Sequence, residues 1–166
     1  MFTTMPTRVQ LLSAMKQVFG DDRRRIDHAL SVLDHAEALL VDHAADRDTV
    51  VAAAILHDIG IHEAERKHGS FAGKWQELEG PPIARRILSE LGAAAAFAEA
   101  VCAIVGNHHS ARGELTPEFD VVWDADWLVN LPEECGDDRE KLAAMAVKVF
   151  RTAAGRQRAA DWFGLR

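Results

Sequence analysis

A histidine and an aspartate stand side by side near the end of an apolar, alanine-rich stretch, VVAAAILHDIGIH, at residues 50–62. An imidazole and a carboxylate are costly to bury unless an ion partner or a metal compensates them. His57 and Asp58 therefore indicate a site that binds a cation. The remaining ligands of such a site must come from other parts of the chain.

Further polar residues interrupt three other apolar, helix-like stretches: His28, the pair His108-His109, and the two aspartates Asp124 and Asp126 of DADWL. Imidazole and carboxylate ligands together favour Fe, Mn, Ni, Co or Zn, whereas Mg and Ca prefer oxygen ligands. Because a carboxylate can bridge two ions, an adjacent His-Asp pair is compatible with one or two divalent transition metals.

The elements that must position these residues are helices. Apolar residues recur at helical spacing through most of the chain, and alternating β-branched runs are nearly absent, which predicts an all-α fold of about six to eight helices. The 166 residues, 48% of them hydrophobic, suit a single domain spanning 1–166.

The helix boundaries follow from caps and breakers. Gly20 ends a first helix, Asp48 is a candidate N-cap, and Gly80-Pro81-Pro82 is expected to begin a helix, because proline is tolerated in a first turn. The predicted helices cover about 7–19, 22–43, 48–60, a short helix and then a loop within 61–79, 80–91, 95–107, 119–131, 142–152 and 157–163.

Composition limits the partners. The formal net charge of -7 argues against stable nucleic-acid binding, which usually requires a basic face. The basic terminal helices, about 138–166, are interpreted as a solvated face, with a homodimer left open. Two cysteines suit reduced thiols, and no apolar run is long enough for a signal peptide or a membrane span, so a cytoplasmic location is expected.

The ordered set of His28, then His57-Asp58 in ILHDIG, then Asp126 in DADWL resembles the HD-domain superfamily of metal-dependent phosphohydrolases. The likeness covers about residues 22–132 and implies a single HD-type helical bundle. It also implies that His28, His57, Asp58 and Asp126 ligate the primary metal, with Asp126 preferred over Asp124, and that Asp58 and His57 are catalytic. The segments EGPPIARRIL, VGNHHS and VFRTAAG resemble a small bacterial subgroup of that superfamily.

The pair His108-His109 is similar to the paired histidines that hold a second metal in the HD-GYP cyclic-dinucleotide phosphodiesterases. The sequence departs from that group: Gly80 stands where the group has a histidine, which leaves Glu79 as the nearby ligand. Ile61 replaces a lysine, and the GYP segment is absent. Cyclic-dinucleotide hydrolysis is therefore not expected, while Glu79, His108 and His109 are candidates to bind a second metal or the substrate.

The function implied is hydrolysis of a phosphate ester, as a phosphomonoesterase or phosphodiesterase, by metal-activated water. The substrate would be a phosphorylated small molecule, such as a nucleotide or a related metabolite. Two alternatives are a metal-binding regulatory or scaffold domain with little turnover, and a dinuclear-iron oxygenase. Candidate phosphate-binding cations, each of which could instead be a solvated surface residue, are Arg25 (or its neighbour Arg24), Lys67, Lys74, Arg85 and Arg112.

Overall fold

The computed structural model describes residues 3–165, and over this range the chain folds into nine helices and no strands. The all-α prediction is confirmed, with one helix more than the upper end of the expected range. The helices are α1 Arg8–Phe19, α2 Arg23–Leu39, α3 Arg47–Leu56, α4 Ile61–His68, α5 Gly73–Glu90, α6 Ala95–Val105, α7 Pro117–Cys135, α8 Arg139–Val149 and α9 Ala153–Phe163. Within residues 3–165, none of these helices combines the length and the hydropathy that a bilayer span requires.

Helix α3 lies at the centre of the bundle and packs against α1, α2, α6 and α7. Its alanines, Ala52, Ala53 and Ala54, are completely buried. Small side chains let neighbouring helices approach closely, so four helices can surround this one. The chain leaves α3 at His57, which places the His57-Asp58 pair deep in the bundle and at the meeting point of several helices.

Several helix ends differ from prediction because other residues cap them. The N-cap of α3 is Asp46, whose carboxylate accepts a hydrogen bond from Thr49 N at 2.8 Å, so Asp48 lies inside the first turn. Thr116 caps α7, which begins two residues before the predicted start, and Thr152 caps α9, which begins four residues before its predicted start. Helix α2 ends at Leu39, and the prediction for residue 166 lies outside the described residues.

The prediction that Gly80-Pro81-Pro82 begins a helix, with a loop directly before it, is wrong. Helix α5 begins at Gly73 and continues through both prolines to Glu90. A proline inside a helix removes one hydrogen bond. Here the helix buries side chains on both sides of the prolines, from Gln76 to Leu88, against α4 and α6, and this packing offsets the loss.

Two glycines bring the turn after Asp58 into direct contact with α5. A Cβ atom on Gly60 would lie 2.5 Å from the backbone N of Gly80 and 2.7 Å from its Cα. A Cβ atom on Gly80 would in turn lie 2.8 Å from Cγ1 of Val105, near the end of α6. The glycines therefore permit a close stack of turn, α5 and α6, which brings His108, just after α6, towards Asp58.

His35 ties α9 to α2. Its side chain is buried, and its Nδ1 accepts a hydrogen bond from Nε of Arg158 at 2.9 Å. The ring also packs edge-on against Trp162, with the centroids 4.9 Å apart. Burial, together with the charge of Arg158, lowers the pKa of His35 to about 4, so the imidazole is neutral at physiological pH.

We expect Gly60→Ala to destabilise the protein by about 2–3 kcal/mol, because the new methyl group must push the turn away from α5. The control is Gly164→Ala, where the added Cβ meets open space but φ is 65°, so only the backbone conformation costs about 1–2 kcal/mol. Urea unfolding measures both. Equal losses for the two variants would contradict the predicted contact between Gly60 and Gly80.

The lowered pKa of His35 predicts that the stability of the fold depends on pH between about pH 6.5 and pH 4. Its pKa in the folded protein lies below the usual value, so within this window the unfolded chain binds more protons, and stability falls as pH falls. From pH 7 to pH 5 the loss from this group should be about 1–2 kcal/mol. Urea unfolding of wild type and His35→Gln at both pH values tests this. The variant should lose less stability than wild type, and parallel losses would contradict the assignment.

Candidate metal centre

Four side chains from α2, the α3–α4 turn and α7 bring atoms that could ligate a metal close together. His28 Nε2 lies 3.2 Å from His57 Nε2 and 3.0 Å from Asp126 Oδ1. Asp58 Oδ2 lies 3.3 Å from each of the two imidazole nitrogens. Ligand atoms about 2.1 Å from one transition metal lie about 3.0–3.4 Å from each other, and the contacts among His28, His57 and Asp58 have this spacing. Asp126 joins the group through its contacts with the two imidazoles.

The hydrogen bond at the other ring nitrogen fixes the orientation of His57. Its Nδ1 lies 2.7 Å from the carbonyl oxygen of Ala54, which can only accept, so Nδ1 carries the proton. In the neutral imidazole, Nε2 then presents a lone pair to the carboxylate oxygens of Asp58 and Asp126, at 3.3 and 3.4 Å. A lone pair that faces two carboxylates fits a site that binds a cation.

The electrostatics of the buried cluster show that the two carboxylates favour positive charge beside them. Burial alone would raise the pKa of Asp58, but His57 and His108 hold it well below its usual range. The pKa of Asp126 is also lowered, since His57 and His28 outweigh burial. For His57, burial is outweighed by Asp58 and Asp126, and its pKa is raised. Both carboxylates are therefore ionised, and in the absence of another cation a proton on His57 supplies part of the positive charge that they favour.

A second group of candidate ligands shares Asp58. Its Oδ1 atom lies 3.2 Å from Nε2 of His108, whose Nδ1 donates a hydrogen bond to the carbonyl oxygen of Val105 at 2.8 Å. Asp58, His108 and His109 each offer a ligand atom within 4.8 Å of the others. The two oxygens of Asp58 thus face two different groups of histidines, which is the arrangement of a carboxylate between two ions.

Glu79 does not join these groups. Its carboxylate is bound by Nζ of Lys67 at 3.0 Å and by Nε2 of His68 at 3.1 Å, both on α4. Because α5 is continuous through this region, the residue that reaches the histidine pair is Gln76, one turn earlier, with Oε1 2.9 Å from Nε2 of His109. The structure therefore brings His108 and His109 to Asp58 but leaves Glu79 with α4.

A cavity of about 690 Å³ opens over the candidate ligands and is lined by His28, Asp58, His108, His109 and Asp126. This volume suits a small metabolite or a mononucleotide. Two arginines also contribute to the wall, together with aromatic and amide side chains. These further lining residues include Arg24, Arg25, Phe71, Gln76, Trp127 and Asn130.

Arg25 is the candidate phosphate-binding cation from the sequence that lines this cavity, and its guanidinium lies 5.3 Å from the ring centroid of Phe71. Arg24 lines it as well, but pairs with Glu133 at 3.8 Å. The other four candidates do not contribute to the cavity wall: Lys67, Lys74, Arg85 and Arg112. Lys67 forms an ion pair with Glu79, and Arg85 forms one with Glu99. Lys74 lies over the ring of Trp75.

Asp124 is separated from the site although it lies two residues from Asp126. It is completely buried, and its Oδ1 accepts a hydrogen bond from the backbone N of Arg151 at 2.7 Å. Its Oδ2 accepts from Thr152 N at 2.9 Å and from Thr152 Oγ1 at 2.7 Å. Burial raises the pKa of this carboxyl. Asp124 thus anchors the segment before α9, and a side chain on Gly155 would collide with it.

Sequence reasoning missed the residues that hold the histidine turn. Oε2 of Glu77 accepts hydrogen bonds from the backbone N of His109 at 3.2 Å and of Ser110 at 3.0 Å. Oδ1 of Asn107 accepts from Gly113 N at 2.8 Å. One signal was available: the glycines at 73 and 80 are spaced by two helical turns, which marks a helix face in close contact with another part of the chain.

Comparisons with known proteins agree with this geometry. A model of the HD domain matches residues 25–131. The crystal structure of a predicted HD superfamily hydrolase from an uncultured Thermotogales bacterium is similar, with a TM-score of 0.68 and 22% identity over 94% of this chain and 84% of that chain, and shows the same fold. A comparison with curated proteins found no match. Since the family match spans more than half of the sequence, this chain belongs to the HD domain family.

Proposed function

We propose that this protein is a metal-dependent phosphohydrolase that cleaves a phosphate ester of a small molecule. The observation that carries the proposal is the contact of two imidazoles, His28 and His57, with two ionised carboxylates beside a cavity that Arg25 also lines. The HD domain match and the fold shared with a predicted hydrolase support the same reaction class.

The residues fit one or two divalent transition metals. His28, His57, Asp58 and Asp126 would hold the first ion, and Asp58, His108 and His109 would share a second. When bound, such ions supply Lewis acidity, which polarises a phosphate ester and makes water acidic near neutral pH. Asp58 touches both groups and would orient the attacking water. Its lowered pKa makes it a weak base, so it would accept a proton only transiently.

The charge of the cavity bears on the number of ions. Five carboxylates and two arginines line it, which leaves an excess of three negative charges when the histidines are neutral. A phosphate dianion would be repelled from this wall. One divalent ion would leave the cavity negative, whereas two would make it positive. The composition of the wall therefore favours a two-ion centre for a phosphorylated substrate.

The cavity also favours a substrate of limited size with a planar or polar group beside the phosphate. Arg25 could bind the phosphate, and Phe71, which is 49% exposed, lies against it at the rim. Trp127 and Asn130 offer apolar and hydrogen-bonding contacts on the α7 side. A nucleotide or a related small phosphorylated metabolite fits these walls.

The cytoplasmic location, the lack of stable nucleic-acid binding and a homodimer remain predictions that accompany this proposal. If dimerisation occurs, α8 and α9 are the segments expected to take part, because the sequence is most basic there.

Protein purified without chelator should contain transition metal in at least a one-to-one ratio and hydrolyse at least one member of a panel of phosphomonoesters, phosphodiesters and nucleotides. His57→Ala and Asp58→Ala should each lower metal content and the hydrolysis rate at least tenfold, because each removes a ligand. Metal analysis and a phosphate-release assay measure both quantities.

The matched control is His62→Ala. This histidine lies close in sequence but bonds to Asp22, at 2.8 Å, outside the ligand set, so its variant should keep metal and activity. Wild-type protein without stoichiometric metal would contradict the proposal. Metal without turnover of any ester would instead support a regulatory or scaffold domain, and oxygen uptake by an iron-loaded sample would support the oxygenase.

The two aspartates of DADWL should differ in their effects. Asp126→Asn should lose metal while it keeps the fold, since it removes an ionised ligand. Asp124→Asn should keep metal per folded molecule but lose about 2 kcal/mol of stability, because an amide NH2 would face backbone N–H donors. Metal analysis and urea unfolding separate the two effects. The reverse pattern would assign the ligand role to Asp124.

A further inference from the structure

Gln76 is buried in the first turn of α5, and both ends of its amide have a defined partner. Its Nε2 donates a hydrogen bond to the backbone carbonyl of Phe71 at 2.7 Å. A carbonyl oxygen can only accept, so this contact fixes which end of the amide is nitrogen. The amide oxygen is therefore the atom that lies 2.9 Å from Nε2 of His109.

This contact selects one tautomer of His109. An amide oxygen accepts and cannot donate, so Nε2 of His109 must carry the proton, and Nδ1 of the neutral ring is left with a lone pair. His57 and His108 have the opposite arrangement, since their Nδ1 atoms donate to the carbonyl oxygens of Ala54 and Val105. Two of the histidines thus offer Nε2, whereas His109 offers Nδ1.

The same face of α5 holds the rest of His109 in place. A Cβ atom on Gly73 would lie 2.8 Å from both Cβ and Cγ of His109, so the first turn of the helix lies directly against the imidazole. Glu77, next to Gln76, accepts a hydrogen bond from the backbone N of His109 at 3.2 Å. Three residues of one helical turn therefore set the position, the backbone and the protonated nitrogen of this histidine.

We propose that Gln76 is a positioning residue that makes Nδ1 of His109 the ligand atom for a second divalent cation shared with Asp58 and His108. The inference rests on the proposed function, because it takes the two-ion centre as its starting point. Gln76 acts through His109 and not on the first group, since the hydrogen bonds of its amide are to Phe71 and His109. A partner of this kind typically changes metal affinity about 10–100-fold.

Calorimetric titration of chelator-treated protein with Mn²⁺ tests the inference. Wild type should bind two ions. Gln76→Leu should bind the first with unchanged affinity and the second about 10–100-fold more weakly. Gln76→Glu keeps an acceptor opposite Nε2 of His109 and should bind the second ion within tenfold of wild type. The inference is wrong if Gln76→Glu lowers the affinity for the second ion as much as Gln76→Leu does. It is also wrong if Gln76→Leu lowers the affinities for both ions equally.

A double-mutant cycle shows whether Gln76 acts through His109. In a His109→Ala background the affinity for the second ion is already lowered, and adding Gln76→Leu should lower that affinity no further. A further loss of similar size would mean that Gln76 supports the fold or another ligand, and the inference would fail.

Nitrogen NMR of the metal-free protein at about pH 8 reads the tautomer without any ion. The His109 ring, identified by the signal missing from His109→Ala, should show the proton on Nε2, whereas His108 donates through Nδ1. A proton on Nδ1 of His109 overturns the inference. If the wild-type protein binds one ion, the inference about Gln76 is wrong but the hydrolase proposal is unaffected. If the wild-type protein binds no ion, both are wrong.

Discussion

The structure depends on keeping two ionised carboxylates, Asp58 and Asp126, buried beside the imidazole of His57, whose pKa they raise. One proton on His57 cannot neutralise both negative charges, and burying the remaining charge in a protein interior costs stability in the absence of a further cation. The apolar packing around α3, whose residues 52–56 are almost completely buried, offsets that cost. An arrangement that opposes folding and favours cation binding is what a preorganised metal centre requires.

The helical character of the chain was predictable because it depends on local periodicity, but the course of α5 was not. Gly73, Gly80, Pro81 and Pro82 all disfavour a helix when each is judged by propensity alone. In the fold the prolines are outweighed by burial on both sides, and the glycines lie where the helix touches Gly60, Val105 or His109. Their role depends on segments distant in sequence, which propensity cannot represent.

The site shows the same division. The candidate ligands stood out in the sequence because a charged or polar residue on an apolar helix needs a partner, and the structure brings His28, His57, Asp58 and Asp126 together. The course of α5 is not predictable from the sequence, which indicates Glu79 as a candidate ligand, whereas the structure places Gln76 beside His109 and Glu79 beside Lys67. The residue types indicate metal-binding chemistry. The residue at which α5 starts decides which of its side chains contacts the histidine pair.

Asp124 has a consequence for how the molecule can be divided. The match to the HD domain model ends at residue 131, yet all the donors to the completely buried Asp124 carboxylate belong to Arg151 and Thr152. A fragment that ended at 131 would contain every proposed ligand and would expose an orphaned carboxylate next to Asp126. The segment that matches the family model is therefore shorter than the unit that must fold together to satisfy Asp124.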